Sequence, residues 1–372
     1  MKATRRDFIG SGVVVGVVGL TRPSAADTGQ VEPKITIPTE RSKALMALFG
    51  LKYPIFEAPH GGATSPELAI AVSNAGAMGA LANLGDPEYA RRAVSQVRAA
   101  SKGCFFVNFI LALAPSASSK PTSGYDPTSL KAALDAGAPI VQFSWGLPTR
   151  ETISAIRACH AKLGVQVTSR ESAQAALDLG ADYLVCQGTE AGGHVQGTRG
   201  LYEALPIVLD EAKEKPVVAS GGIGDGQAIR KALVSDASAA MLGTRFVATV
   251  ESNAHPAYKQ AIIAAQARDA ALTVCFQDGW SATHRALRNR TLVTWEAAGC
   301  PPPGKRPGEG DVVATRADGS KVLRYQLWSP LRSFDGAVTD CALYAGRSVE
   351  FVKDLPSAGE LVERLWRECE TG

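Results

Sequence analysis

The chain has 372 residues, of which 45% are hydrophobic and 20% charged, a composition typical of a folded protein with a large core and unlike that of a disordered chain. Its formal charge of +3 arises within the first 26 residues, from Lys2, Arg5, Arg6 and Arg22 against Asp7, so the near-neutral remainder offers no basic surface for nucleic acid. The seven cysteines are scattered without ligand spacing, which favours free thiols over a disulfide framework and predicts no metal site.

Residues 1–26 have the three parts of an export signal. A basic start precedes an apolar run at residues 8–20 and a small-residue ending at Ala26. The pair Arg5 and Arg6 is typical of twin-arginine signals, which predicts export of the folded protein to the periplasm by the twin-arginine machinery. A membrane anchor is the alternative, but about 13 apolar residues are too few to span a bilayer of roughly 30 Å. We therefore expect cleavage after Ala26 and no stable membrane anchor.

Short apolar runs alternate with helical patterns from residue 54 onward. Strands are predicted at residues 54–58, 77–82, 104–111, 139–143, 165–168, 183–186, 216–219 and 239–242. Helices are predicted at 41–49, 66–75, 87–99, 128–136, 149–161 and 170–179. Eight such units predict an α/β fold, a closed (β/α)8 TIM barrel over residues 27–250. An open doubly wound sheet is the main alternative, and the absence of GxGxxG after the first strand disfavours it.

The alternation stops after residue 250. A helical run covers residues 255–271, a segment rich in Arg, Gly and Pro covers 285–311, and a β-type excursion follows at 312–326. A final helix is predicted at 357–370. We interpret residues 251–372 as a small C-terminal cap region beside the barrel mouth with a closing helix.

Two glycine-rich turns follow neighbouring strands near the end of the barrel. Gly221 and Gly222 come directly after Ser220, and Gly243 and Thr244 follow the next strand. Glycine lets a backbone approach a ligand closely, and barrels commonly bind phosphate after strands 7 and 8. The two turns therefore predict a phosphate site, with ordinary tight turns between strand and helix as the alternative.

His194 is the candidate catalytic residue. It lies on the loop after the strand at 183–186, where Gly192 and Gly193 leave room for a flat ligand. An imidazole with the ordinary pKa of about 6.5 can accept a proton near neutral pH. Glu190 either orients this ring or makes a structural hydrogen bond, and the structural interpretation is favoured.

The other four histidines carry weaker signals. His60 also follows a strand end, whereas His160, His255 and His284 lie in helical or surface-like patterns and are interpreted as structural. The chain contains no nucleophile elbow, HExxH or Walker motif.

Several motifs together resemble the nitronate monooxygenase family. They are PIFEAPHGG, CQGTEAGGHVQG, VVASGGIGDGQAI and MLGTRFVAT, with the ending AGRSVEFVKDLPSAGELV, and the resemblance covers residues 54–365. It implies a barrel that binds FMN, with His194 as base or substrate-orienting group. The implied FMN-binding residues lie at the ends of the strands: Ala58, Pro59, His60, Asn108, Gln187, Gly192, Gly193, Ser220, Gly221, Gly222, Gly243 and Thr244.

The chain departs from the family pattern at two places. His60 stands where the family usually has methionine, and Val195 and Gln196 stand where it tends to have a basic residue and then glycine. Both departures alter the substrate pocket rather than the cofactor site.

The resemblance implies oxidation of alkyl nitronates, and of nitroalkanes, by O2 to a carbonyl compound and nitrite. One alternative is an FMN-dependent NAD(P)H reductase of quinones or enoyl thioesters, which export disfavours because reduced nicotinamide is scarce outside the cytoplasm. Another is a flavin-carrying module without chemistry of its own.

Overall fold

Eight parallel strands form the central sheet. The computed structural model describes residues 36–82, 84–111 and 125–372, so the export signal predicted at residues 1–26 lies outside the described residues. The strands are β1 (Ile55–Glu57), β2 (Gly79–Leu81), β3 (Phe105–Ile110), β4 (Ile140–Ser144), β5 (Lys162–Val167), β6 (Tyr183–Gln187), β8 (Val217–Ser220) and β9 (Ala239–Leu242). Each of the eight strands predicted from the sequence overlaps one of these. The two-residue strand β7 (Gly193–His194) belongs to a different sheet.

The sheet closes into a barrel. Its strands follow the order β1-β9-β8-β6-β5-β4-β3-β2, and neighbours run parallel. The two outer strands meet at a parallel bridge between Phe56 and Met78, where Glu57 N donates to Met78 O and Met78 N donates to Ile55 O, both at 2.9 Å. The predicted (β/α)8 barrel is confirmed, and the open sheet is excluded.

Alternate residues of the strands point into the barrel and form an apolar core. The ring of Tyr183 makes a T-shaped contact with Phe49 at a centroid distance of 5.5 Å and packs on Phe56 at 6.0 Å. Phe49 belongs to helix α1 (Glu40–Phe49), which precedes the barrel and packs against this core. Side chains therefore fill the interior of the barrel, which leaves the carboxyl ends of the strands for a site.

Helices surround the barrel and start at capping side chains. They are α2 (Pro66–Asn74), α3 (Pro87–Ala100), α4 (Pro127–Asp135), α5 (Arg150–Ala158), α6 (Arg170–Asp178), α7 (Leu201–Ala212), α8 (Gly226–Val234) and the short α9 (Thr244–Val247). Ser65, Asp86 and Asp225 accept backbone hydrogen bonds at the starts of α2, α3 and α8. These caps explain why each of the three helices begins directly after its loop.

The region after the barrel contains more regular structure than its sequence predicted. It comprises α10 (Pro256–Ala264), β10 (Ala270–Thr273), β11 (His284–Leu287), α11 (Arg290–Ala297), β12 (Val312–Thr315), β13 (Lys321–Leu323), β14 (Asp335–Gly336) and α12 (Ala358–Thr371). The helix predicted at 255–271 is too long, because α10 ends at Ala264 and Ala270 already pairs with Leu287 in a strand. Strand β11 and helix α11 were missed.

The closing helix α12 packs back on the barrel helices. It buries Leu361, Leu365 and Trp366, and the carboxylate of Glu368 accepts from the backbone N–H of Gly226 at 3.0 Å. Barrel and C-terminal region together form one compact unit, Thr36–Gly372. Among the helices of the described residues, none combines the length and apolar character needed to cross a membrane.

Candidate functional site

A cavity of about 1140 Å³ lies at the carboxyl ends of the barrel strands. It exceeds the about 300–1,000 Å³ typical of small-molecule sites, so it has room for a cofactor together with a substrate. Every site residue predicted from the sequence lines it, namely Ala58, Pro59, His60, Asn108, Gln187, Gly192, Gly193, His194, Ser220, Gly221, Gly222, Gly243 and Thr244.

The loop after β6 is held by the side chain of Gln187. Its Nε2 donates to the carbonyl oxygen of His194 at 3.3 Å, and its Oε1 accepts from the backbone N–H of Gln196 at 2.9 Å. Gly192 packs closely on a neighbouring segment, so that a Cβ atom there would lie 2.4 Å from the nitrogen of Gly346. Only glycine fits at residue 192, and the loop offers a bare backbone surface to the cavity.

Glu190 caps a helix and does not orient the histidine. Its Oε2 accepts from the backbone N–H of Leu201, the first residue of α7, at 2.9 Å. The residue before α7 is Gly200, which has no side chain to cap the helix, so the carboxylate supplies the missing acceptor. This contact agrees with the structural interpretation favoured from the sequence.

His194 places an imidazole at the cavity wall. Its Nε2 atom is buried and has no hydrogen-bond partner among the described residues. The ring stacks on Trp280 at a centroid distance of 4.1 Å and an interplanar angle of 26°. Burial of the ring, and to a smaller extent the neighbouring His284, lower the pKa of His194 to about 3. The expectation of an ordinary pKa is therefore wrong, and the ring is neutral near neutral pH.

His284 is a structural residue, as interpreted from the sequence, but it lies behind His194 in the interior and not at the surface that its sequence pattern suggested. It is fully buried on β11, directly opposite His194 in the antiparallel pair of β11 and β7. Its Nε2 accepts from Phe276 N at 3.1 Å, so Nδ1 carries the proton that it donates to Ala282 O at 2.9 Å. Burial lowers the pKa of His284 to about 4, so this imidazole is also neutral near neutral pH. Its ring lies 5.3 Å from that of His194.

The glycine turns after β8 and β9 form a cradle at the cavity. Gly221 and Gly222 have φ of 115° and 73°, a backbone region that favours glycine. A Cβ atom at Gly222 would come within 3.0 Å of Glu190 Cβ. The hydroxyl oxygen of Thr244 accepts from the backbone N–H of Gly346 at 2.9 Å, and among the described residues its hydrogen has no acceptor. The bare backbone of these turns and the hydroxyl donor of Thr244 fit the phosphate of a ligand.

The loop after β1 is tied to the turn after β9. The Nε2–H of His60 donates to Gly243 O at 3.0 Å, and Nδ1 lies 3.1 Å from the Thr64 hydroxyl, which can donate to it. Burial lowers the pKa of His60 to about 4. The neighbouring Glu57 is fully buried, and burial raises the pKa of its carboxyl well above the ordinary range. His60 is thus a neutral group that fixes the cradle.

Asn108 reaches the cavity from β3 at the end of a chain of hydrogen bonds. The hydroxyl of Tyr183 donates to Gln142 Oε1 at 3.0 Å, and Gln142 Nε2 donates to Asn108 Oδ1 at 3.1 Å. The amide nitrogen of Asn108 is therefore the group that this arrangement leaves for a ligand.

An aromatic wall completes the cavity, and sequence reasoning missed most of it. Trp145, Trp280, Trp328 and Tyr344 line the cavity together with Arg316, whose guanidinium lies 4.5 Å from the ring of Trp328. Trp145 directly follows β4, which is a signal for a site residue in a barrel. The other four come from residues 251–372, where no periodic pattern indicated their position.

Comparisons with known proteins place the chain in a family. The family model described as nitronate monooxygenase matches residues 42–368. A nitronate monooxygenase of Pseudomonas aeruginosa is 34% identical, over 86% of this chain and 97% of the relative. A nitronate monooxygenase of Paraburkholderia phytofirmans is 29% identical, over 88% and 94% of the two chains.

Solved structures agree with the sequence relatives. Nitroalkane oxidase from Streptomyces ansochromogenes is similar with a TM-score of 0.70 and 31% identity, covering 88% of this chain and 97% of that one. FabK from Thermotoga maritima has a TM-score of 0.71 at 24% identity, covering 88% and 96%, and supports the fold alone. The matched family model, the curated relatives and the residues gathered at the cavity agree that the chain belongs to the nitronate monooxygenase family.

Proposed function

We propose that the protein uses FMN and O2 to oxidise alkyl nitronates to a carbonyl compound and nitrite. Its family membership makes it an oxidoreductase, and flavin dependence is general in that family. The observation that carries the proposal is the position of His194, which lines a cavity that also contains a glycine cradle and whose buried Nε2 has no partner among the described residues.

The described residues fit FMN at both of its ends. Gly221, Gly222, Gly243 and Thr244 would hold the phosphate, because their turns leave space and a hydroxyl donor. The bare backbone at Gly192 and Gly193 and the amide of Asn108 would face the ring system, together with Ala58, Pro59, Gln187 and Ser220. When bound, FMN supplies the redox chemistry that amino-acid side chains lack.

The neutral state of His194 favours nitronates over nitroalkanes as substrates. With a pKa of about 3, the ring is a weak base for removing a proton from carbon. A nitronate has already lost that proton and carries its negative charge on two oxygens. A neutral imidazole can donate one N–H hydrogen bond to such an oxygen and hold the anion in place.

The test compares His194→Asn with His194→Ala on preformed nitronates and on neutral nitroalkanes. Asparagine keeps an N–H donor, so we expect nitrite production from nitronates within about tenfold of wild type, and a loss of about 10²-fold in His194→Ala. Bound FMN, identified after release, is the control for an intact site. No nitrite from any nitronate with the FMN-loaded protein would overturn the proposal.

The same FMN-loaded protein distinguishes the proposed nitronate oxidation from the reductase alternative. Anaerobic mixing with NADH should leave the flavin absorbance unchanged within the time of nitronate turnover. Rapid bleaching of the flavin by NADH would instead favour a reductase.

A further inference from the structure

The ring of His194 is held by packing rather than by hydrogen bonds. Its main chain is fixed, because β7 pairs with β11 and Val195 N donates to Thr283 O at 2.9 Å. Its side chain makes no hydrogen bond to another described residue, and Nε2 is buried without a partner. The orientation of the imidazole therefore depends on the rings around it.

Trp280 makes the closest of these ring contacts. Its indole stacks on the imidazole at 4.1 Å, whereas His284 and Tyr344 lie 5.3 Å away in tilted arrangements. The two rings are nearly parallel, with an interplanar angle of 26°, so the indole packs face to face on the imidazole. One face of the catalytic ring is therefore covered by Trp280.

The indole is itself rigidly placed. Trp280 is only 4% exposed, and its ring makes a T-shaped contact with the ring of Trp145 at a centroid distance of 4.7 Å and an angle of 70°. Its backbone N–H donates to Gln277 O at 3.0 Å, and Gly279 before it has φ of 109° and packs on Leu327. The turn that carries Trp280 is therefore fixed on both sides.

We propose that Trp280 is a positioning residue that fixes the plane of the His194 imidazole and keeps water from its covered face. This inference rests on the proposed function for its effect on turnover. The titratable groups that face the imidazole are His284 of β11 and Tyr344, and both are neutral, since burial lowers the pKa of His284 and raises that of Tyr344. No charged group among the described residues therefore competes with Trp280 in setting the state of the ring.

The first test compares Trp280→Leu with Trp280→Phe. Leucine removes the stacked ring, so kcat on nitronates should fall by about 10²-fold, because a displacement of a catalytic group by about 1 Å has an effect of this size. FMN binding should be unchanged. Phenylalanine keeps a flat ring and should restore most of kcat. Trp295→Leu is the matched control, because Trp295 is a buried tryptophan of α11 outside the cavity and its loss should leave kcat unchanged.

A double-mutant cycle isolates the coupling between the two residues. In the His194→Ala background, Trp280→Leu should cost almost nothing further in kcat, because the ring that it positions and its N–H donor are already gone. An equal loss in both backgrounds would overturn the proposal, as would an unchanged kcat in Trp280→Leu alone.

A readout without turnover separates this inference from the proposed function. The pKa of His194, measured by NMR of the labelled imidazole, should rise towards its ordinary value in Trp280→Leu and stay low in Trp280→Phe and Trp295→Leu. An unchanged pKa in Trp280→Leu would overturn the inference. A shifted pKa in a protein that produces no nitrite would support positioning by Trp280 while the proposed function fails.

Discussion

Single glycines determine what the cavity can hold. At Gly222 the backbone has φ of 73°, and an added Cβ atom would crowd Glu190 at 3.0 Å. Gly180, after α6, has a similar φ of 80° but has nothing within 4 Å of an added Cβ atom and lies outside the cavity. The two positions share the same backbone requirement and differ in what surrounds them.

Gly222→Ala should weaken FMN binding by about 10- to 100-fold, which corresponds to about 1.4–2.8 kcal/mol. The methyl group crowds Glu190 and displaces the turn that lines the cradle, whereas Gly180→Ala adds only backbone strain of about 1–2 kcal/mol. Titration of the apoprotein with FMN, followed by fluorescence quenching, measures the first effect, and chemical unfolding measures the second. Equal FMN affinities in the two variants would show that the phosphate lies elsewhere.

The sequence alone predicted that His194 lies at the site, but it did not predict the low pKa of this residue. The glycine-rich loop identifies His194 as a candidate, yet its low pKa depends first on burial and then on His284, which is distant in sequence. The sequence around His284 has a helical or surface-like pattern, which does not reveal its burial. Its burial arises from pairing with a strand that the chain forms 90 residues earlier, at β7.

The barrel elements were predictable because their patterns are local. Short apolar runs alternating with helical patterns located all eight strands, although β5 begins at Lys162 rather than at residue 165. The short strands β10 and β11 have no such signature. Ala270 and Ala271 look helical in sequence, and they form a strand only because Leu287 and Ala286 pair with them.

Arg285 joins these missed strands to the loop that carries His194. Its Nε and Nη2 donate to Thr189 O at 3.1 and 2.7 Å, and its Nη1 donates to Ala270 O at 2.8 Å. The side chain is buried, so loss of its donors leaves carbonyl groups without partners away from water.

Arg285→Lys should lower the free energy of unfolding by about 1–3 kcal/mol, because a lysine cannot reach both carbonyl groups in the same geometry. Arg288→Lys, at an exposed arginine just after the same strand, should change it by no more than about 0.5 kcal/mol. Urea unfolding of both variants at one pH provides the comparison. Similar losses in the two would contradict a special role for the buried arginine.

Buried neutral groups make the whole molecule sensitive to acid. The pKa values of His60, His194 and His284 are depressed in the folded chain, so on acidification below about 6.5 the unfolded chain binds protons that the folded chain does not. Glu57 acts in the opposite direction, because its raised pKa keeps a proton in the folded state. The three histidines outnumber this carboxyl, so acid lowers stability.

The denaturant midpoint should therefore be lower at pH 5 than at pH 7. In Glu57→Gln the opposing group is absent, and the fall between the two pH values should be steeper than in wild type. Guanidinium chloride unfolding of both proteins at the two pH values gives the comparison. A shallower fall in Glu57→Gln would show that this carboxyl is ionised in the folded chain.

The pairing of β7 with β11 joins the reactive loop to the distant C-terminal part of the chain, residue against residue. Barrel and C-terminal region are consequently not interchangeable modules. A chimera that takes its barrel from one relative and its C-terminal segment from another must preserve the register of His194 with His284 and of Gly193 with Arg285. Exchange of the C-terminal segment alone should therefore disturb the position of the His194 ring.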